Sequence, residues 1–363
     1  MSAKHYLVCG HTAKGYVNLA GTNLEPLNKI YLLMGGPGTG KLDLWKEIAS
    51  KLEGQDETVE YLHSPSDPEA LDGMLFPALG VGIVNAAVPQ MTELRAPGAM
   101  EEYINLEEAW DINSLTYQKD RILELTKSMQ LYYEKAYEEF GEGLRVHDEW
   151  EKIYIRAMDF TKANQLTTEV IATLFTDIRF DKPSCVKHRF FGGSTPNGPM
   201  DFVTNITADI ATRFFIKGRP GSGKSTMLKK LLEAAKARGI DTEVYHCGFD
   251  PDSLDMLLFP ELSLSIFDST SPHEYYPCRE GDKVIDMYTQ LIKEDTDEHY
   301  AAELEDIVAR YRSHTKAGTA YLAAAKDKML ELEQLYQDAT DYEAINLISE
   351  ELYQRIMESI STL

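Results

Sequence analysis

Short apolar runs bounded by Gly, Pro or Asp recur along residues 29–85 and again along residues 212–268. Runs of this kind predict strands, and the amphipathic stretches between them predict helices. Strands that alternate with helices imply an α/β fold, with a parallel sheet covered by helices on both faces. The predicted strands are residues 29–34, 58–63 and 80–85, then residues 212–217, 243–246 and 263–268.

Two longer segments have a helical pattern. Residues 101–175 and 283–357 carry apolar side chains at three- and four-residue spacing, many Glu, Lys and Gln, and almost no Gly or Pro. This pattern predicts long amphipathic helices. One interpretation is antiparallel helices that pack their apolar face on the sheet. The other is a lid or a bundle that binds a partner.

The chain contains a tandem repeat. Gly35 and Gly218 begin two similar loops at an offset of 183 residues (218 − 35 = 183), and 18 of the 55 pairs from residues 35–89 to residues 218–272 are identical. This repeat predicts a first half, residues 1–183, and a second half, residues 184–363, each a phosphate-loop domain with a helical segment. An offset of 182 aligns further pairs, namely Glu151, Tyr154, Ala157, Asp159 and Asn164 with Glu333, Tyr336, Ala339, Asp341 and Asn346.

The second glycine loop, residues 218–225, has the spacing Gly-x-x-x-x-Gly-Lys-Ser between a predicted strand and a predicted helix. This motif binds nucleotide phosphates, because its glycines let backbone N–H groups and a helix N-terminus approach the negative charge. Lys224 is expected to reach the β- and γ-phosphates, and the Ser225 hydroxyl to ligate Mg²⁺. The expected nucleotide-binding residues are Gly218, Arg219, Pro220, Gly221, Ser222, Gly223, Lys224, Ser225 and Thr226.

The first glycine loop, residues 35–42, departs from the motif at its end. Leu42 stands where Ser225 is found and has no oxygen for a metal, while Asp43 would bring negative charge towards the α-phosphate. We therefore predict that the first half is catalytically inactive. Its weaker candidates for nucleotide binding are Gly38, Thr39, Gly40 and Lys41.

A carboxylate at the end of the third predicted strand distinguishes the halves. Asp268 ends that strand in the second half, as the second Mg²⁺ anchor requires, whereas Asn85 ends it in the first half. We predict Ser225 and Asp268 as metal ligands and Lys224 and Asp268 as catalytic. His273 follows in the second half, where the first half has Gln90. It is a candidate for orienting a γ-phosphate or an attacking group, and the alternative is a surface histidine in a loop.

Residues after the second predicted strand are shared by the halves. The Asp-Pro pairs that start at Asp67 and Asp250 predict a turn, followed by one or two helical turns that end at Pro77 and Pro260. Asp250 also has the position of a substrate-binding or base carboxylate in phosphate-loop kinases, so both roles stay open. We interpret the remaining shared residues as turn and cap residues, namely His63, Asp72, His246 and Asp255.

Several arginines are candidates for neutralising charge during phosphoryl transfer. The sequence does not choose among them, and an ion-paired surface position is the alternative for each. They are Arg219, Arg279, Arg310 and Arg312.

The composition limits the classes of partner. The formal net charge is −23 and the isoelectric point about 4.8, which disfavours binding to nucleic acid and to anionic membranes. The four cysteines have no metal-binding or disulfide spacing, and no apolar stretch is long enough to span a bilayer. We expect a cytoplasmic protein whose acidic helical segments are candidates for a protein interface. Pairing of the two halves and a homo-oligomer both stay open.

The chain resembles a family of bacterial two-domain P-loop ATPases, found mostly in Gram-positive lineages and also described as nucleotide-kinase-like. The resemblance covers essentially the whole chain and implies ATP and Mg²⁺ as ligands. In the first half, the stretch after the third predicted strand, Asn85-Ala86-Ala87-Val88-Pro89-Gln90, departs from the family pattern. The resemblance lies in Lys187-His188-x-Phe190-x-Gly192-Gly193-x-Thr195-Pro196-x-Gly198, the second glycine loop and Asp268-Ser269-Thr270-x-Pro272-His273.

Three functions are compatible with these features. The first is Mg²⁺-dependent ATP hydrolysis in the second half, with the first half as a structural or regulatory partner. The second is a small-molecule or nucleotide kinase with a helical lid, which the acidic residues 294–305 disfavour. The third is a switch that binds nucleotide without turnover. No GTP-specific base-reading motif is found, which favours ATP.

Overall fold

The computed structural model describes residues 2–52, 58–86, 94–271 and 273–362. The α/β class and the two sheet-containing halves are confirmed. The residues Ala87, Val88, Pro89, Gln90 and Pro272 lie outside the described part of the chain.

The first half begins with strands and ends with helices. Its strands are β1 (Ser2–Tyr6), β2 (Cys9–Thr12), β3 (Gly15–Asn18), β4 (Lys29–Met34), β5 (Thr58–His63), β6 (Leu71–Phe76), β7 (Val81–Asn85) and β8 (Glu101–Asn105). Its α-helices are α1 (Gly21–Leu24), α2 (Lys41–Lys51), α3 (Ile112–Tyr117), α4 (Lys119–Ala157) and α5 (Phe160–Phe175).

The second half repeats this order of elements. Its strands are β9 (Val186–Phe190), β10 (Gly192–Thr195), β11 (Gly198–Asp201), β12 (Thr212–Lys217), β13 (Thr242–His246), β14 (Leu254–Phe259), β15 (Leu264–Asp268) and β16 (Asp282–Asp286). Its α-helices are α6 (Val203–Ile206), α7 (Lys224–Lys236), α8 (Met287–Leu291), α9 (Thr296–His299), α10 (Ala301–Asp338) and α11 (Tyr342–Thr362).

Each half builds one large sheet from six described strands, in the orders β1-β5-β6-β7-β4-β8 and β9-β13-β14-β15-β12-β16. The sheets are mixed, because β6 and β14 run antiparallel to both of their neighbours while the other pairs are parallel. The prediction of a wholly parallel sheet is therefore wrong. The mixed sheet places β7 beside β4 and β15 beside β12, so the end of each third predicted strand lies next to a glycine loop.

Two sequence predictions fail at these strands. The helical turns predicted before Pro77 and Pro260 are the strands β6 and β14, whose apolar runs are buried between neighbours on both sides. A short, continuous apolar run does not distinguish a central strand from a buried helix. The predicted helical segments also begin too early, because their first residues form the edge strands β8 and β16. Their charged residues suit a sheet edge and imitate a helical pattern.

A four-stranded antiparallel sheet, in the order β11-β10-β2-β3, joins the halves. Its central contact pairs His11 with Ser194, which are equivalent residues of the repeat. The equivalent residues Leu7 and Phe190 form another antiparallel bridge nearby. When equivalent residues meet one another, the two copies are related by an approximate two-fold axis. The intramolecular pairing that the sequence left open is therefore present.

Arg189 is fully buried close to this axis. Its guanidinium lies 2.8 Å from Glu60 of the first half and 3.1 Å from Glu243 of the second half. It also lies 3.5 Å from the ring centroid of Tyr6, the equivalent residue of the first half. A buried guanidinium requires paired charges, and here the pairs come from both halves.

The long helices α4 and α10 pack along each other in antiparallel orientation. Ion pairs mark the register, with Glu139 beside His314 at 2.8 Å and Glu149 beside Arg310 at 2.7 Å. Where the helices cross, Gly318 faces the buried ring of Phe140. We call α4 with α5 the first arm, and α10 with α11 the second arm.

The arms are exchanged between the halves. In the first arm, α5 packs on α7 of the second half, and its Val170, Leu174 and Phe175 enter the second-half core. In the second arm, α11 packs on α2 of the first half, where Ile345 and Leu352 enter the first-half core. The predicted packing of helices on a sheet layer is thus found for α5 and α11, each supplied by the opposite half, whereas the long helices α4 and α10 pack mainly on each other. Within the described residues, no helix is long and apolar enough to cross a membrane.

Replacement of Gly318 by alanine tests the crossing of α4 and α10. The added Cβ would lie 2.3 Å from Phe140 Cε1, and the ring is buried, so we expect Gly318→Ala to cost about 1–3 kcal/mol of unfolding free energy. Gly141→Ala on α4 is the matched control, because its Cβ would meet only Ala13 O at 3.7 Å. It should be stabilising by about 0.5–1 kcal/mol through helix propensity. Urea unfolding compares the two, and equal effects would contradict the packing described.

His11 links β2 to the first arm and gives a pH prediction. It is buried, its Nδ1 lies 2.9 Å from Tyr137 Oη on α4, and burial lowers its pKa to about 3. Unfolded histidine has a pKa of about 6.5, so the unfolded chain takes up a proton first, and stability falls as the pH drops below that value.

We expect His11 to contribute a loss of about 2 kcal/mol between pH 7.5 and pH 5. The variant His11→Asn lacks this contribution. Between pH 7.5 and pH 5, the free energy of unfolding of the wild type should therefore fall by about 2 kcal/mol more than that of the variant. Urea unfolding at both pH values measures it. A difference that is independent of pH would show that His11 is not held neutral.

Candidate functional site

The second glycine loop connects β12 to α7. Gly221 and Gly223 have φ values of +74° and +87°, a left-handed conformation that glycine adopts without strain. Gly223 is the N-cap of α7, so the backbone N–H groups of the first turn of α7 face the loop. The Ser222 hydroxyl donates a hydrogen bond of 2.7 Å to Arg219 O, which closes the loop. The loop therefore has the curvature and the dipole of an anion site.

Lys224, Ser225 and Asp268 lie together at this edge of the sheet. Lys224 Nζ lies 2.9 Å from Arg219 O and 3.5 Å from Asp268 Oδ2. Ser225 Oγ accepts a hydrogen bond of 3.0 Å from the Leu254 N–H, at the start of β14. Asp268 Oδ1 accepts hydrogen bonds from the N–H and the hydroxyl of Thr270, at 3.0 and 2.6 Å. The predicted cation and both predicted metal ligands are thus brought together.

Asp255 adds a second carboxyl group to this edge. It lies on β14, and the pairing of Met256 with Phe267 places it beside Asp268 on β15. Burial, together with the neighbouring Asp268 carboxylate, raises the pKa of Asp255 to about 7. The interpretation of Asp255 and Asp72 as cap residues is wrong, because both lie within strands rather than at helix starts.

His273 and Asp250 lie in different surroundings. His273 is half-buried, and its Nδ1 lies 2.7 Å from Asp201 Oδ2 on β11. Asp250 forms a turn, with one carboxylate oxygen 3.1 Å from Ser253 Oγ, and pairs with Lys14 of the first half at 2.9 Å. The geometry of Asp250 therefore fits the turn role. His273 is tied to Asp201 rather than to the loop, although it lies close enough to affect the titration of Asp255.

The shared histidines form equivalent pairs. His246 lies 2.8 Å from His188, and His63 lies 2.8 Å from His5. In each pair the other ring nitrogen of the first-named histidine contacts a proline carbonyl, Pro251 O or Pro68 O. Because both halves keep this arrangement, it belongs to the fold and not to a chemical difference between the halves.

Three of the four candidate arginines have local partners for their guanidinium groups. Arg219 pairs with Asp297 at 2.8 Å, and Arg279 donates to the carbonyls of Thr207 and Ala208. Arg310 pairs with Glu149 and Asp306, and Arg312 lines a groove on α10. Of the four, only Arg219 belongs to the loop itself.

The first glycine loop has the same shape and different chemistry. Lys41 Nζ lies 2.6 Å from Gly35 O and 3.2 Å from Asn85 Oδ1, and burial lowers the pKa of Lys41 to about 8. Thr39 Oγ1 donates to Gly36 O at 2.9 Å, as Ser222 does to Arg219 O. Leu42 is 44% exposed at the position of Ser225. A neutral amide and an apolar side chain thus replace the second-half carboxylate and hydroxyl.

Each loop is covered by the arm of the opposite half. A Cβ on Gly221 would lie 2.4 Å from Glu151 O of the first arm, and a Cβ on Gly38 would lie 2.3 Å from Glu333 O of the second arm. Met158 lies close to Gly223 in the same way. Sequence reasoning missed this role of the arms. The identical pairs that begin at Glu151 and Glu333 mark this stretch of both arms in the sequence, but they do not show which loop it covers.

A cleft of about 240 Å³ opens beside the second glycine loop. Lys217 and Asp286 lie at the ends of the strands that flank it. The cleft continues from the loop towards the segment that follows β15 and is lined by Lys217, Gly218, Arg219, Thr270, Ser271, Glu274, Asp286 and Tyr288.

No family model, no curated protein and no solved structure matches this chain. The resemblance to two-domain P-loop ATPases therefore stays a prediction that depends on the motif residues and their geometry.

Replacement of Gly38 tests the contact between a loop and the opposite arm without disturbing the second glycine loop. Gly38 has a φ of +74° and its Cβ would meet Glu333 O, whereas Gly98 has a φ of +83° and nothing within 4 Å of its Cβ position. Gly98→Ala should cost about 1 kcal/mol from backbone strain alone. We expect Gly38→Ala to cost about 1–3 kcal/mol more, because the arm must move. Equal costs in urea unfolding would show that the arm does not rest on this loop.

Proposed function

We propose that the second half binds a nucleoside triphosphate, with ATP favoured, and hydrolyses it with Mg²⁺. The observation that carries this proposal is the convergence of Lys224, Ser225 and Asp268 at a left-handed glycine loop that opens α7. The lysine and the N–H groups of the loop supply the positive potential that a triphosphate needs. The hydroxyl and the carboxylate supply oxygen ligands from two different elements.

The donor set fits Mg²⁺. This ion prefers oxygen ligands and keeps several waters, so one hydroxyl and one or two carboxylates suffice to hold it beside phosphate oxygens. Ser225 and Asp268 are the proposed ligands, and the half-buried Asp255 lies beside Asp268 as a further carboxyl group. When bound, Mg²⁺ would neutralise negative charge that develops on the phosphates. Thr270 holds the Asp268 carboxylate in place.

We propose only one competent site. Leu42 and Asn85 remove both metal ligands from the first half, although Lys41 and the glycines of that loop are kept. The first half would then act as a structural or regulatory partner, and the exchanged arms give it a physical connection to the active loop.

Phosphoryl transfer to a small molecule is a second candidate function. The cleft beside Arg219 and Tyr288 is large enough for a small acceptor next to the expected γ-phosphate. Turnover that depends on an added acceptor would favour this function over hydrolysis. Binding without any turnover would favour a nucleotide-dependent switch.

Phosphate release from ATP tests the proposal. We expect Mg²⁺-dependent turnover by the wild type, a loss of about 100-fold or more in Lys224→Ala, and little loss in the matched variant Lys41→Ala. Calorimetry counts the bound nucleotide in each protein. The proposal of a single competent site fails if Lys41→Ala and Lys224→Ala are equally impaired. Hydrolysis fails if the wild type binds nucleotide but never releases phosphate.

A further inference from the structure

The first arm brings one helical turn, residues 147–151, directly onto the second glycine loop. A Cβ on Gly221 would lie 2.4 Å from Glu151 O and 2.8 Å from Glu151 Cα. This approach is possible only because Gly221 has no side chain. The contact is between backbones, so it fixes the position of this helical turn more tightly than a contact between flexible side chains would.

His147 lies on the same face of α4, one helical turn before Glu151. Its Nδ1 lies 4.0 Å from Glu151 Oε1, and its ring packs near those of Trp150 and Tyr311, at centroid distances of 6.2 and 5.8 Å. Burial lowers the pKa of His147, and the Lys224 ammonium lowers it further, whereas Glu151 raises it. The half-buried imidazole thus belongs to the helical turn that contacts Gly221.

The equivalent position of the second arm has no such group. The offset of 182 that aligns Glu151 with Glu333 aligns His147 with Met329. Glu333 covers the first glycine loop as Glu151 covers the second. A thioether is only a weak hydrogen-bond acceptor and cannot donate. The histidine therefore belongs to the arm over the loop that has Ser225 and Asp268, and the methionine belongs to the arm over the loop that has neither.

We propose that His147 of the first half completes the nucleotide site of the second half by donating a hydrogen bond to the γ-phosphate. Such a loop wraps the phosphates, and its lysine reaches the β- and γ-phosphates, so a donor on the helical turn that contacts Gly221 lies on the phosphate side of the site and not at the base. The first half would then distinguish a triphosphate from a diphosphate through its own arm. This inference depends on nucleotide binding at the second glycine loop, as proposed above.

The full-length variant His147→Met tests the inference by placing the second-arm residue on the first arm. A hydrogen bond to a charged phosphate contributes more than a neutral one, so we expect about 10-fold weaker binding of a non-hydrolysable ATP analogue. The affinity for ADP should be unchanged, because ADP lacks the γ-phosphate. His147→Gln keeps a donor and should recover part of the loss. Calorimetry with both nucleotides in Mg²⁺ gives the affinities.

The matched control is Met329→His on the second arm, which should leave both affinities unchanged. Unchanged ADP binding in His147→Met also shows that the variant is folded. The inference is overturned if His147→Met binds the ATP analogue as tightly as the wild type, or if it weakens ADP binding equally. If the wild type binds neither nucleotide, the proposed function itself has failed, which is a distinguishable result.

Discussion

At Gly38 and Gly221, each glycine loop accepts the backbone of the arm from the opposite half. Any larger residue there would displace the arm that covers the loop. The rest of the architecture follows from this close approach. The arm must reach past its own sheet, so α4 and α10 are 39 and 38 residues long and lie side by side. Beyond the crossing, α5 and α11 complete the helical layer of the opposite half.

The exchange makes the two halves physically interdependent. Each core contains apolar residues from both halves, and Arg189 satisfies its charge through Glu60 of one half and Glu243 of the other. A movement of one arm would therefore displace the opposite glycine loop directly, because the two are in contact. This connection gives the first half, which we propose to be inactive, a role in the proposed site, because it supplies the arm that covers the second glycine loop.

The differences between the halves fall on both sides of this contact. In the loops, Leu42 and Asn85 replace Ser225 and Asp268. In the arms, a methionine replaces His147. The shared features, such as the paired histidines and the left-handed glycines, are those that the fold requires. Comparison within one chain thus separates residues of the fold from residues of the proposed chemistry.

The sequence predicted the parts of the fold that depend on local pattern. The strands β4, β5 and β12 and the glycine loops lie where apolar runs and glycine spacing placed them. The prediction from sequence failed at β6 and β14. A short buried apolar run has no periodicity that distinguishes a strand from a helix, and it does not show whether a strand runs parallel or antiparallel to its neighbours.

Exchange of the arms could not be predicted either. An amphipathic helix indicates that one face needs a partner, but not which half supplies it. For the same reason, the sequence did not single out His147, which is one polar residue among many on an acidic helix.

Cross-linking of the intact monomer with a carbodiimide tests the exchange most directly, since this reagent joins an amine to a carboxylate in direct contact. Lys51 of α2 and Glu350 of α11 form an ion pair in the exchanged arrangement. We expect mass spectrometry of the cross-linked, digested monomer to recover peptides that join Lys51 to Glu350. Without exchange, α11 would pack on α7 of its own half. A Glu350 link to a lysine of α7, with no link to Lys51, would contradict the account.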